Sequence, residues 1–188
     1  MCVMQATGRA PLRGPDPDRS GPVRPRRVGA LLLTAGVVVC LDVVTKVLAV
    51  ERLTDRPPVR LLGGLVRLVE TRNAGAAFGL GGGATVLFTL VAAGVVVAIA
   101  RTAPRLRSPV WALSLGLLLG GATGNLLDRL LRSPGPLRGH VVDWIQLPHW
   151  PVFNLADASI VTGGAIAVLL ASRGLGVDGH RVAARSDG

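Results

Sequence analysis

The most regular feature of the chain is the alternation of long apolar runs with short polar ones. From Val28 no charge occurs until Asp42, from Ala84 none until Arg101, from Val110 none until Asp128, and from Ala158 none until Arg173. Runs of 14 to 18 uncharged residues, four times in 188, are too much apolar surface for one soluble core and suit helices that cross hydrocarbon. The pattern predicts an all-α membrane protein with four transmembrane helices, at about 28–50, 84–100, 110–131 and 154–172.

Between the first two spans the periodicity changes. Pro57-Pro58 is followed by VRLLGGLVRLVETRN, two β-rich runs around Gly63-Gly64, which predicts a two-residue hairpin turn and a small extracytoplasmic β-hairpin or cradle within residues 51–80. Residues 1–27 mix proline with arginine and cannot bury enough apolar surface to order themselves, so they are expected to form a disordered cytoplasmic tail able to touch anionic lipid. Residues 174–188 are expected to be a second, flexible tail, leaving 28–173 as one four-helix domain. The first run follows a long Arg/Pro segment and lacks a clear cleavage site, so it reads as an uncleaved anchor.

Charge then orients the pattern. The net charge of +10 could suggest nucleic acid, but twelve arginines lie before the first span, between the second and third, and after the fourth, against eight in the alternate loops and helix ends. That is the asymmetry of a membrane protein with both termini cytoplasmic, and nucleic acid is not expected as a partner. Cys2 and Cys40 give no disulfide framework.

Chemistry concentrates where polar residues invade the apolar runs. Asp42 and Lys46 stand at i and i+4 in the first span; they either satisfy each other near the interface, with Lys46 snorkelling, or position active-site groups. Asn73 opens the small-residue run NAGAAFG, which permits close backbone approach. The second span is featureless apart from Thr85 and Thr89 and reads as lipid-facing filler, whereas Gly116, Gly120 and Gly124 give the third span a flat face for close packing. Asn125 and Asp128 share a face at the end of that span, where Asp128 and Arg129 are expected to form an interfacial salt bridge. His140, Asp143 and His149 lack a recognised metal spacing, so neither metal nor cofactor is expected, and Trp111, Trp144 and Trp150 mark span boundaries.

Asp143 and Asp157 are the strongest candidates. Asp157 opens an uncharged run and therefore lies at the edge of the hydrocarbon, while Asp143 sits fourteen residues earlier across a proline-broken segment that can fold back. Two carboxylates brought together in a low dielectric cannot easily both ionise, which supplies one acid and one base near neutral pH as in an aspartic protease. The rival classes are a small proton or ion transporter, since intramembrane acids also mark ion paths, and a plain scaffold subunit.

Five motifs in order, LDVVTK, TRNAGAAF, GNLLDR, HVVDW and FNLAD, resemble the lipoprotein signal peptidases (signal peptidase II) between about Leu41 and Leu170. The resemblance implies an integral-membrane aspartic endopeptidase that cleaves prolipoprotein signal peptides just before a diacylglyceryl-modified cysteine. It implies Asp143 and Asp157 as the catalytic pair, Asn73, Asn125, Arg129 and Asn154 around the site, and Asp42 and Lys46 more peripherally. It further implies a bacterial cytoplasmic membrane, an active site near the outer leaflet, membrane lipids as partners, and inhibition by globomycin-type cyclic peptides. The two tails match nothing in the pattern.

The arginine asymmetry predicts that a cysteine introduced at residue 60 is labelled by an impermeant thiol reagent in intact cells, while one at residue 105 is protected; the reverse labelling would overturn the orientation.

Overall fold

The computed structural model describes residues 25–75 and 81–181, the side chains of 81–84 excepted. The N-terminal tail as far as residue 24, Ala76–Gly79 of the small-residue run, and the chain from 182 onward lie outside the described residues. Four helices are long and apolar enough to cross a membrane: α1 (Val28–Leu53), α2 (Gly81–Thr102), α3 (Pro109–Leu131) and α4 (Leu155–Ser172). Valine-rich sequence is helical here because hydrocarbon offers no other partner to backbone N–H and C=O groups. Leu33, Leu90, Val161 and Val168 project outward, as lipid-facing positions should.

Local signals set the helix ends. Ser108 caps α3, its side chain accepting from Trp111 N, with Pro109 in the first turn. Asn154 caps α4 in a capping box with Asp157, so the entry to the last helix is fixed by two of the residues singled out for chemistry.

A three-stranded antiparallel sheet, β1 (Val59–Leu61), β2 (Val66–Asn73) and β3 (Val141–Gln146), closes one end of the bundle in that order. The predicted hairpin is present, but its turn is longer than two residues: Leu61 pairs with Val66, and the four residues between them make a tight turn with positive φ at Leu62, Gly63 and Gly64. Its third strand comes from the HVVDW stretch. The register between β2 and β3 shifts between Leu68 and Thr71, a bulge that brings Thr71 opposite Asp143. Beneath the sheet, Val142 packs with Ala49 and Leu53 of α1.

α3 is the central helix. An added Cβ at Gly116 would stand 2.7 Å from Thr34 Cβ, and one at Gly120 would stand 2.6 Å from Val38 Cβ and 2.9 Å from Ala35 O, so the glycine face is where α1 and α3 touch backbone to backbone. On another face Gly121 meets Ala156 of α4, and Ser114 Oγ donates to Gly163 O at 2.8 Å.

At the end opposite the sheet, part of the expected flexible tail is held in place. Arg107 N and Ser108 N donate to Val177 O, and Trp111 Nε1 donates to Leu175 O at 2.9 Å. Val177 packs on the cluster of Leu31, Ile99, Leu106, Ala112 and Leu115, which explains why Trp111 is anchored to protein as well as lying at a span end.

The glycine contact predicts that Gly120→Leu, which must push α1 away, lowers the melting temperature in detergent and activity with it, while Val97→Leu on the lipid-facing side of α2 changes neither. Equal melting of the two variants would remove the packing argument.

Candidate active site

Asp143 and Asp157 are separated by a loop that doubles back on itself. Trp144 N and Ile145 N both donate to Phe153 O, and Phe153 N returns a bond to Ile145 O at 2.9 Å. The pairing makes residue 153 a neighbour of strand β3 and therefore sets Asn154, the first residue beyond it, against Asp143. Pro148 and Pro151 fall in the stretch that turns, where a missing N–H does no harm.

Asn154 then touches both acids. Its Nδ2 donates to Asp143 Oδ1 at 2.6 Å, its backbone N donates to Asp157 Oδ2 at 3.2 Å, and its Oδ1 accepts from Asp157 N at 2.9 Å. Asn73, at the end of β2 and diagonal to Asp143 across the sheet, donates from Nδ2 to Asp143 Oδ2 at 3.0 Å. Asn73 Oδ1 in turn accepts from Gly75 N, an Asx turn that ends the strand. Asn125 of α3 donates from Nδ2 to Asp157 Oδ1 at 2.8 Å. Three asparagines thus aim amide N–H groups at the two carboxyls. Asp143 is nearly fully buried, and burial, reinforced by the nearby Asp157 charge, pushes its carboxyl up to about 6 against the pull of its two amide donors.

Asp42 and Lys46 are interior residues, at 0% and 1% exposure, so Lys46 does not snorkel. Lys46 Nζ pairs with Asp42 at 2.7 Å and with Asp128 at 2.9 Å, and donates to Asn125 Oδ1 at 3.0 Å. Asp42 Oδ1 also accepts from Ala156 N in the first turn of α4. The expected Asp128–Arg129 salt bridge is replaced by a different pairing. Asp128 binds Lys46, Arg132 Nε at 2.5 Å, and Val142 N at 3.2 Å, which ties β3 to α3. Consecutive helix residues do not face each other, so Arg129 looks elsewhere.

Arg129 is 8% exposed and lies over the ring of Phe88, 5.7 Å from its centroid, with Nη1 buried and without a hydrogen-bond partner. It lines a cavity of about 280 Å³ between α2, α3 and α4 whose polar end carries Asn125, Arg129 and Asp157 and whose remaining wall is apolar, including Phe88, Val95, Leu118 and Ile160. α2 is therefore a wall of the site rather than filler. Thr85 Oγ1 donates to Ala74 O, and Thr89 Oγ1 reaches Leu137 O at 3.0 Å, so two hydroxyls one helical turn apart pin the loops beside the site. That i, i+4 hydroxyl pair on an otherwise apolar helix was the available signal for Thr85, Thr89 and their neighbour Phe88. Among the described residues no three His, Cys, Asp or Glu side chains are grouped as a metal cage; His149 lies in the loop and His140 just before β3.

Four apolar spans around a pair of amide-bound carboxyls, Asp143 buried and Asp157 half-buried, define a polytopic membrane protein. The pattern of the signal peptidase (SPase) II family matches residues 34–173, and the chain belongs to that family. It is 55% identical over 162 residues to the lipoprotein signal peptidase of Mycolicibacterium smegmatis, covering 86% of this chain and 69% of that protein. The Rhodococcus jostii lipoprotein signal peptidase is 50% identical over 169 residues, covering 88% of this chain and 85% of that one. In three dimensions the chain is similar to a bacterial membrane enzyme solved in meso at 1.9 Å, with a TM-score of 0.69 at 25% identity, over 79% of this chain and 96% of that one. A 2.3 Å structure, also of a bacterial membrane enzyme, gives a TM-score of 0.67 at the same identity. The transporter reading of the two acids finds no support in these relatives.

The raised proton affinity of Asp143 makes a stability prediction. A carboxyl that binds its proton more tightly in the folded state stabilises the fold below its unfolded value near 3.8, and the contribution is lost as pH rises through about 6. Between pH 4 and pH 7 the melting temperature of wild type should therefore fall relative to Asp143→Asn, by an amount equivalent to on the order of 2–3 kcal/mol. Parallel pH dependences of the two proteins would contradict it.

Proposed function

We propose that Asp143 and Asp157 are the acid–base pair of a peptidase that cleaves the signal peptides of prolipoproteins immediately before the diacylglyceryl-modified cysteine. The observation that carries this reading is the side chain of Asn154, which bonds the Asp143 carboxylate while its own backbone and amide hold Asp157. One carboxylate takes a proton from water as the water oxygen attacks the scissile carbonyl carbon. The other, protonated, donates to the carbonyl oxygen, giving a neutral tetrahedral diol. Collapse of that diol returns the second proton to the carboxylate that gave it and delivers the first to the leaving nitrogen, so the pair ends as it began.

The remaining residues have roles that follow from where they point. Asn73, Asn125 and Asn154 keep both carboxyls oriented. Arg129, a buried cation with an unfilled donor beside the cavity, offers Nη1 to a carbonyl oxygen of the bound chain. Asp42, Lys46 and Asp128 hold the helices that carry these groups. The apolar wall of the cavity suits the hydrophobic end of a signal peptide, and a globomycin-type cyclic peptide would compete for it.

The peptidase unit in this reading is residues 28–173, in a bacterial cytoplasmic membrane with both termini inside and the sheet outside; the arginine asymmetry supports that orientation. The scissile bond then meets the pair near the outer leaflet while the lipid stays in the bilayer among membrane lipids.

Asp143→Asn and Asp157→Asn should each reduce cleavage of a diacylglyceryl-modified precursor by at least ~100-fold with the protein still folded. The double variant should be little worse than either, because the two act as a unit. Asp128→Asn should instead lose stability and activity together, since it leaves Lys46 and Arg132 short of a partner. Full cleavage by either single catalytic variant would refute the assignment.

A further inference from the structure

An asparagine amide has two ends of nearly the same shape and opposite hydrogen-bonding sense, so a half-turn about its last torsion converts a donor into an acceptor. For Asn125 this choice matters, because the end facing Asp157 Oδ1 at 2.8 Å must be N–H: a carbonyl there would set lone pairs against lone pairs. We propose that Lys46 is the positioning residue that fixes this choice, locking Asn125 so that it donates to Asp157, a role that presupposes the Asp143–Asp157 assignment above.

The ammonium of Lys46 has three donors and no acceptor, and it is surrounded by three acceptors: Asp42 at 2.7 Å, Asp128 at 2.9 Å and Asn125 Oδ1 at 3.0 Å. At 1% exposure it has no water to turn to. Because Nζ can only donate, the Asn125 atom facing it must be oxygen, and the atom facing Asp157 must then be nitrogen. Asn154 Nδ2 points at the same oxygen from 3.2 Å and agrees with the assignment. A flipped Asn125 would meet two donors at one end and a carboxylate at the other.

Charge balance alone does not call for this third bond. Asp128 is also paired with Arg132, and Asp42 also receives Ala156 N, so both acids keep other donors. The charged groups facing Lys46 or its neighbours are Asp42 on α1; Asp128 and Arg129 on α3, with Arg132 at its C-cap; Asp143 on β3; and Asp157 on α4. Across this cluster the ammonium also favours the ionised form of Asp143.

The test uses the full-length protein in detergent with a diacylglyceryl-modified fluorogenic peptide. Lys46→Met removes the ammonium and keeps the apolar stem, and Asp42→Asn with Lys46→Met removes a paired charge as well. If Lys46 locks Asn125, both proteins lose roughly ten- to a hundred-fold in kcat, the range that orienting partners command elsewhere, with KM little changed. The paired variant also melts closer to wild type than the single one. The loss persists when kcat is expressed per folded protein, which a merely structural role would not produce. Adding Lys46→Met to Asn125→Ala costs little further activity, because the lock then has nothing to hold. Wild-type kcat in the paired variant, with Asp157→Asn inactive, overturns the lock and leaves the catalytic pair standing; an active Asp157→Asn overturns the pair instead. Failure of the paired variant to fold assigns Lys46 to structure and overturns the lock as well.

Discussion

A lysine ammonium inside a helix that crosses hydrocarbon must be surrounded by acceptors, and its own helix cannot supply them all. Lys46 meets that demand with Asp42 from its own helix and with Asp128 and Asn125 from α3, while Asp42 reaches on to the first turn of α4. Removing one partner of such a buried set typically costs about 3–5 kcal/mol, so the crossing of three helices is specified by charge as well as by shape. The glycine face of α3 makes the approach possible. Gly124 in particular stands where a Cβ would lie 2.5 Å from Asp42 Oδ2, so its missing side chain is the space the carboxylate occupies.

The same polar cluster continues outward into the site. From Lys46 the bonds run through Asn125 to Asp157, and through Asp128 to the backbone of β3, which carries Asp143. The two acids therefore stand on elements of different kinds, one on a strand and one in the first turn of a helix, linked by a loop whose ends are paired at Ile145 and Phe153. Among the described residues, neither acid is held by an arginine or a lysine at hydrogen-bond distance. Amide donors from asparagine side chains do the holding, which orients the carboxyls without tying either into an ion pair.

The four spans were legible because hydrocarbon imposes a length that composition must meet, and α1 runs on to Leu53 because Glu51 and Arg52 can stay helical where the chain leaves the apolar layer. The glycine face was legible for the same reason: a spacing of four means contact only on a helix. β3 was not, since six residues between a Pro/Gly turn and Pro148 gain strand character from β2, about seventy positions away in the chain. The pairing of Asp128 is not legible, because sequence proximity favours Arg129, whereas one partner, Lys46, lies on another helix and depends on how α1 docks on the glycine face of α3. The role of the α2 hydroxyls is not legible in the sequence, because their acceptors are loop carbonyls, whose positions no local pattern reveals.

The cap of α4 narrows what its sequence is free to be. Helix statistics alone would let serine, threonine or aspartate begin this helix about as well as asparagine. Asn154, though, accepts from Asp157 N with one end of its side chain and donates to Asp143 with the other. A hydroxyl is too short to span both, and a carboxylate has nothing to donate. Of the good capping residues only asparagine can start the helix and serve the acids in the same pose, so a position that looks permissive as secondary structure has one solution as chemistry.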